Sequence, residues 1–221
     1  DRCENFPNEA YLNNVRIPEN LASWFTENQK ECHIIQFSTD QVYGFDKIHL
    51  EEEVMISNVY GLTKYAGEMA FKGLPCTVLR TNFVGKSLNK ERKSLSDWAI
   101  EAVEGQQPIT VFKDIFFSPL SLTTLTEIVE KVIKNPKKGI FNLGSTSVLS
   151  KSEFILGVLH GLDLSRELVK IDSSSSVELS ASRPKNMGMN SSLFEETFNI
   201  RLPSFPEEVI KVVEEYKNGR K

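Results

Sequence analysis

The chain has 221 residues, 40% of them hydrophobic and 25% charged, with a net charge of −4. That is the balance of an ordinary globular protein, long enough for one large domain or two small ones. It excludes a nucleic-acid binder that works through a basic surface, and no run is long and apolar enough for a membrane-spanning helix.

In chain order, residues 8–29 pattern as a helix whose buried side is Ala10, Leu12, Val15, Leu21, Trp24 and Phe25, with Pro18 marking a kink or a boundary between two pieces. Residues 33–37 form a short apolar run suited to a strand buried on both faces. A polar loop follows from Tyr43 to about Ser57. Helix is expected again over 60–72, with Leu62, Tyr65, Ala66, Met69 and Ala70 as the stripe and Gly73-Leu74-Pro75 as the stop. CTVLR at 76–80 is the next strand. Strand, helix and strand with short connections are the rhythm of a parallel sheet. Beyond it, 82–93 reads as loop, 94–104 as helix, 109–112 as strand, 123–134 as helix and 139–143 as strand. Residues 151–160 read as helix and 168–171 as strand. SSSSVELSASRPKN is a polar, mobile loop, and helices at 193–198 and 206–216 close the chain.

The three cysteines, Cys3, Cys32 and Cys76, are odd in number and scattered, which points to a reducing, cytoplasmic setting without disulfides. Cys32-His33 has no companion pair to complete a metal site, so no metal ligand is assigned.

Tyr-x-x-x-Lys occurs twice. Tyr43-Gly44-Phe45-Asp46-Lys47 lies just past a strand end without a helical stripe, so its side chains have no reason to share a face. Tyr60-Gly61-Leu62-Thr63-Lys64 opens a patterned helix, where i and i+4 stand one turn apart on one face. A phenol has an unperturbed pKa of about 10, and a neighbouring ammonium is expected to lower it toward the range of a working general acid. Ser38-Thr39-Asp40 ends the preceding strand, where ligands bind in open parallel sheets. There the Thr39 hydroxyl can meet a substrate carbonyl beside the phenol.

FSTDQVYG and NVYGLTKYAGE together resemble the extended short-chain dehydrogenase/reductase family, and within it the dTDP-4-dehydrorhamnose reductase type. DRCENFPNEAYLNN, VLRTNFVG, FFSPLSLTTL, FNLGS and RPKNMGMN have counterparts in the same pattern, so the resemblance runs nearly end to end. It implies an α/β fold: a Rossmann-type doubly wound parallel sheet with a smaller α+β substrate domain towards the C-terminus. Residues 1–85 and 113–147 would belong to the NAD(P)-binding part, and 86–112 and 148–221 to the substrate part.

The resemblance also implies roles. Tyr60 would protonate the C4 carbonyl oxygen of a nucleotide-linked 4-keto-6-deoxysugar during hydride transfer. Lys64 would bind the nicotinamide ribose and depress the Tyr60 pKa, and Thr39 would orient the carbonyl. Ser38, Asn82 and Phe83 join Tyr60 and Lys64 as cofactor-facing residues. Thr39, Asp40, Phe83 and Arg183 face substrate; Asp40 either hydrogen-bonds substrate or stabilises its loop. Asn14 matches a supporting helix Asn, with Asn13 beside it as the alternative register. Where the pattern has Ser-Trp, this chain has Asn82-Phe83.

NADP or NAD is the implied cofactor, and some family members also use Mg²⁺ at a dimer contact. A nucleotide sugar is the implied partner, with a homodimer as the assembly known in the family. The Gly-rich turn that holds the pyrophosphate occurs nowhere in the sequence. A cofactor-binding segment of roughly a third of such a protein is therefore expected ahead of residue 1. Two other activities stay open: an NAD-dependent sugar-nucleotide epimerase, and a non-catalytic regulatory subunit like the relative that partners S-adenosylmethionine synthetase.

Overall fold

The computed structural model describes residues 2–29, 31–89, 91–176, 182 and 184–218. Helices α1 (Arg2–Asn5) and α2 (Pro7–Tyr11), a π-helical turn Leu12–Arg16, and α3 (Ile17–Glu27) open the chain. Strand β1 (Ile34–Thr39), helix α4 (Val59–Ala70), β2 (Cys76–Thr81) and β3 (Phe83–Val84) follow. Next come α5 (Leu95–Glu104), β4 (Ile109–Phe112), β5 (Phe116–Phe117), β6 (Leu120–Ser121) and α6 (Leu122–Lys134). Strands β7 (Gly139–Leu143) and β8 (Leu149–Ser150), α7 (Lys151–Gly161), β9 (Val169–Asp172), β10 (Asn186–Met187), α8 (Ser192–Phe198) and α9 (Phe205–Asn218) complete the order.

The central sheet is parallel, in the order β1-β2-β7, with Phe37 opposite Leu79 and Leu79 opposite Phe141. Neighbouring residues point to opposite faces. Val78 and Ile140 pack with Ala22 of α3 and Phe71 at the end of α4. Leu79, Phe141 and Leu143 pack with Leu125, Ile128 and Val132 of α6 and with Phe194 and Phe198 of α8. Helices thus cover both faces, as in a doubly wound sheet. A second core gathers Ala99, Ile100 and Val103 of α5, Val111 of β4, Phe154 and Val158 of α7 and Val212 of α9. Serine caps start its helices where the sequence reading put them. Ser94 with Asp97, and Ser150 with Glu153, both close complete capping boxes.

The faces of the first helices differ from expectation. In α2–α3 the buried residues are Ala10, Val15, Pro18 and Ala22, while Leu12, Leu21 and Trp24 are exposed. The boundary expected at Pro18 falls where the π-helical turn Leu12–Arg16 passes into α3 at Ile17; the backbone stays helical through it, and the irregular turn accommodates a proline that cannot donate a helix bond. In α4 the buried set is Gly61, Thr63, Gly67 and Glu68, while Leu62 and Met69 are exposed. The physical reason is close backbone approach. A Cβ on Gly67 would stand 2.2 Å from the Asn14 carbonyl oxygen, and one on Gly61 would stand 2.4 Å from the Gln41 carbonyl oxygen. Small residues let α4 sit directly on its neighbours, so the contact stripe is not the apolar one. Strand β1 is also less covered than expected: Phe37 is 41% exposed, because β2 is its one partner among the described residues.

Gly67→Ala is expected to push the first helices off α4 and destabilise the protein by about 1–3 kcal/mol. A lowered denaturant midpoint measures this; Ser23→Ala, on the exposed side of α3, should leave the midpoint nearly unchanged.

Candidate active site

Strand β1 ends in Ser38 and Thr39, and the chain turns at once into a 3-10 turn, Asp40–Val42. Thr39 caps that turn: its Oγ1 accepts the Gln41 N–H at 3.2 Å. Helix α4 starts just as firmly. Asn58 Oδ1 accepts the Gly61 N–H at 2.8 Å, and Asn58 Nδ2 donates to Gln41 Oε1 at 3.1 Å and to the Ser182 carbonyl at 3.0 Å. The Glu4 carboxylate accepts the Val59 N–H at 2.7 Å, placing a negative charge at the positive end of the helix.

Tyr60 and Lys64 lie on successive turns of α4. The Tyr60 phenol lies near enough to the Thr39 hydroxyl for that hydroxyl to bear on its ionisation. Lys64 Nζ donates to the Phe37 carbonyl at 2.6 Å. Phenol, ammonium and hydroxyl therefore meet at the carboxyl end of β1. Asn82, just past β2, donates from Nδ2 to Asp40 Oδ2 at 2.5 Å, and Thr39 Oγ1 donates to Asp40 Oδ1 at 3.2 Å. Phe83 presents an exposed ring beside them.

Burial governs the electrostatics. It raises the Tyr60 pKa above the usual phenol value, opposed by the nearby Thr39 hydroxyl and helped by the charges of Asp40 and Cys3. It also lowers the Lys64 pKa, against the pull of Glu68. The expectation that Lys64 depresses the Tyr60 pKa is thus corrected: the ammonium is bonded to Phe37 O, and the net shift of the phenol is upward. Asp40 is raised to about 6, chiefly by burial, against Asn82, Lys151 and Thr39.

Across residues 1–218 the chain matches the family described as the RmlD substrate binding domain. The chain belongs to that family. Curated relatives named dTDP-4-dehydrorhamnose reductase include the Salmonella typhimurium protein, 26% identical over 223 residues, covering 93% of this chain and 72% of the relative. The Escherichia coli protein of the same name is 25% identical over 232 residues, covering 97% of this chain and 75% of the relative. The fold superposes on a Bacillus anthracis dTDP-4-dehydrorhamnose reductase in complex with NADP, with a TM-score of 0.87 and 23% identity, over 97% of this chain and 76% of that one. A dTDP-glucose 4,6-dehydratase from the same organism, in complex with NAD, gives a TM-score of 0.78 at 17% identity, over 95% of this chain and 69% of that one.

Within this RmlD-family chain, several side chains fall where the sequence could not announce them. Ser38 lies at the site but its hydroxyl donates to the Glu68 carboxylate, so it serves the interior rather than facing outward. Glu68 also takes a two-pronged pair from Arg80, Nε to Oε1 at 3.0 Å and Nη2 to Oε2 at 2.7 Å, with exposures of 1% for Arg80 and 0% for Glu68. Arg80 Nη1 donates to the Tyr43 hydroxyl and to the Glu51 carbonyl, and Tyr43 donates to Asn142 Oδ1 at 2.5 Å. Tyr43 is thus wholly buried, while Lys47 pairs with Glu53 at the surface, so the first Tyr-x-x-x-Lys match is no site. Asn14, not Asn13, faces α4, donating to Thr63 Oγ1 at 3.0 Å. Arg183 lies outside the described residues. Among the described residues no cluster of three His, Cys, Asp or Glu side chains could hold a metal ion, and no helix is long and apolar enough to cross a membrane. Mg²⁺ therefore finds no support here.

Glu68→Gln strands the Arg80 charge in the interior and is expected to destabilise the protein by about 3–5 kcal/mol, read from denaturant unfolding. Burial also lowers the His49 pKa from 6.5. Below 6.5 the unfolded chain binds the proton that the folded ring resists, so stability should fall with pH until the lowered folded value is reached. His49→Gln should flatten that part of a stability–pH curve.

Proposed function

We propose that this chain carries the proton-transfer and substrate-orienting residues of an NADPH-dependent reductase acting on a nucleotide-linked 4-keto-6-deoxysugar, of the dTDP-4-dehydrorhamnose type. The observation that carries the reading is the meeting of Tyr60, Thr39 and Lys64 at the carboxyl end of β1, in a chain of the RmlD family.

The donor set fits a nicotinamide nucleotide: an ammonium one turn from a phenol suits ribose hydroxyls, and the exposed Phe83 ring suits a flat face. The NADP complex of the similar Bacillus anthracis protein favours NADP. When bound, the nicotinamide supplies the hydride. The remaining work belongs to side chains. Tyr60 and Thr39 mark the position of the carbonyl oxygen. Burial keeps Tyr60 protonated at neutral pH, which suits a group that must give a proton to that oxygen as it gains charge. Lys64, whose ammonium lies at the carboxyl end of β1, would hold the ribose hydroxyls.

The residues of the second core form the substrate wall. A pocket of about 370 Å³ lies between α5, β4 and α7, lined by Leu95, Trp98, Phe112 and Lys151. Aromatic walls and a cation suit the nucleotide end of the substrate. The residue after Asp40 separates this reading from the dehydratases that share the fold. Sugar-nucleotide dehydratases carry an Asp-Glu pair there, whereas this chain has Gln41, whose amide is held by Asn58 and supplies no acid.

The test uses the full-length protein, NADPH and a dTDP-4-keto-6-deoxysugar, followed at the nicotinamide absorbance band. Stoichiometric oxidation is expected. Product without net oxidation would indicate an epimerase, and no turnover together with tight binding to another protein would indicate a regulatory subunit. Tyr60→Phe should lower kcat by about 10²- to 10⁴-fold while NADPH affinity stays within a few-fold.

A further inference from the structure

Phe83, the exposed ring next to Asn82, is carried by a strand of two residues. Strand β3 pairs with the equally short β6, Phe83 opposite Leu120 and Val84 opposite Ser121. A ladder of that length is too short to hold a side chain in place by itself. Its near end is fixed to the site: the Asn82 carbonyl accepts the Leu120 N–H at 3.0 Å, and the Asn82 amide reaches Asp40. Its far end turns at Gly85 and is fixed by α9. Glu215 Oε2 accepts the Lys86 N–H at 3.1 Å, while Oε1 accepts the Thr123 N–H at 3.2 Å and the Thr123 hydroxyl at 2.8 Å. One carboxylate thus joins the end of β3 to the first turn of α6, which follows β6 directly. Glu208, two turns earlier on the same face of α9, accepts the Ser121 N–H and, at 2.7 Å, the Thr124 hydroxyl. We propose that Glu215 is the positioning residue for Phe83: it closes the far end of β3 against α6 and so holds the ring at the reacting end of the site. This rests on the reductase reading above, which sets Phe83 beside cofactor and substrate.

Gly85 is the counterpart of that carboxylate. Its φ of +133° lies where side chains rarely go, and a Cβ there would stand 2.4 Å from Glu215 Oε2. The turn therefore has no side chain where the carboxylate must pass. Helix α5 meets the other polar groups of the turn. Ser96 Oγ donates to the Gly85 carbonyl at 3.1 Å, and Asp97 Oδ2 accepts the Ser87 N–H at 3.1 Å. Tyr216, next to Glu215, donates to Asp97 Oδ1 at 2.5 Å, so α9 steadies that side as well. Val84 points into the second core at 3% exposure, and its neighbour Phe83 points outward at 55%. With little packing around the ring, its direction follows the backbone that carries it. Bonds from N–H groups to an ionised carboxylate are roughly twice as strong as neutral ones, so a single half-buried Glu215 that serves two elements couples them firmly.

Two measurements on the full-length protein separate positioning from mere support. In the first, para-fluorophenylalanine placed at position 83 alone should give one narrow fluorine NMR line. Glu215→Gln keeps the shape but offers one acceptor oxygen where the carboxylate uses two, so the line should broaden or split. An unchanged line overturns the proposal. The second is a double-mutant cycle on kcat/KM for the keto sugar with NADPH. Phe83→Ala and Glu215→Gln should each lower it by about tenfold. Added to Phe83→Ala, Glu215→Gln should cost nothing further, because the ring it positions is gone. Losses that multiply mean that Glu215 acts elsewhere, and they overturn the proposal too. A purely structural role would lower the denaturant midpoint and leave the fluorine line narrow. If Glu215→Gln does not fold, Gly85→Ala breaks the same contact from the opposite side and is read in the same two ways. No turnover with the keto sugar, together with a broadened line, would refute the substrate reading and still support the positioning of Phe83.

Discussion

A guanidinium and a carboxylate shut away from water hold both halves of the site in register. Removing two charges from water costs several kcal/mol each, and a buried pair is tolerated only when hydrogen bonds satisfy what the pair leaves over. Arg80 meets that condition: it bonds both Glu68 oxygens, the Tyr43 hydroxyl and the Glu51 carbonyl, and lies over the rings of Tyr43 and Tyr65. Glu68 sits about two turns after Tyr60 on α4 and one turn after Lys64. Tying it to β2 therefore sets the rotation of the helix that presents phenol and ammonium. The same carboxylate receives the hydroxyl of Ser38, next to Thr39, and so anchors the end of β1.

Around this frame, burial moves the working groups toward neutrality. Tyr60 and Asp40 rise and Lys64 falls. A neutral phenol beside a hydroxyl is a donor ready for an oxygen that gains charge during reduction, and excluding water strengthens each of these hydrogen bonds. The start of α4 is reinforced from two directions, by Glu4 from the first helix and by Asn58, whose amide also reaches Gln41 and Ser182. The position of Tyr60 therefore depends on segments distant in the chain.

The same doubly wound architecture carries reductases and dehydratases among its structural neighbours. Fold alone does not separate them. In this chain the side chains beside the strand ends are Gln41, held by Asn58, and Asn82, which holds Asp40.

Local spacing carried much of this. Tyr60 and Lys64 on one helical turn, the Ser-Thr-Asp strand end and the apolar strands around 76–80 and 139–143 are short-range patterns, and α5 and α7 start within a residue of where the patterns put them. The buried face of α4 was misread because Gly61 and Gly67 let it approach the Gln41 and Asn14 backbone directly, a contact that hydrophobicity does not encode, and on α3 the small Ala22 rather than Leu21 or Trp24 meets the sheet. Amino-acid order by itself determined the parallel α/β class and the identity of the phenol, ammonium and hydroxyl, since each follows from periods of two or 3.6 residues. Only the tertiary structure decided that Lys64 bonds Phe37 O instead of acidifying Tyr60, that Ser38 serves Glu68, and that Asp40 answers to Asn82. Those pairings join residues 27, 30 and 42 positions apart, and the burial that shifts their charges exists only once the sheet and its helices have closed over them.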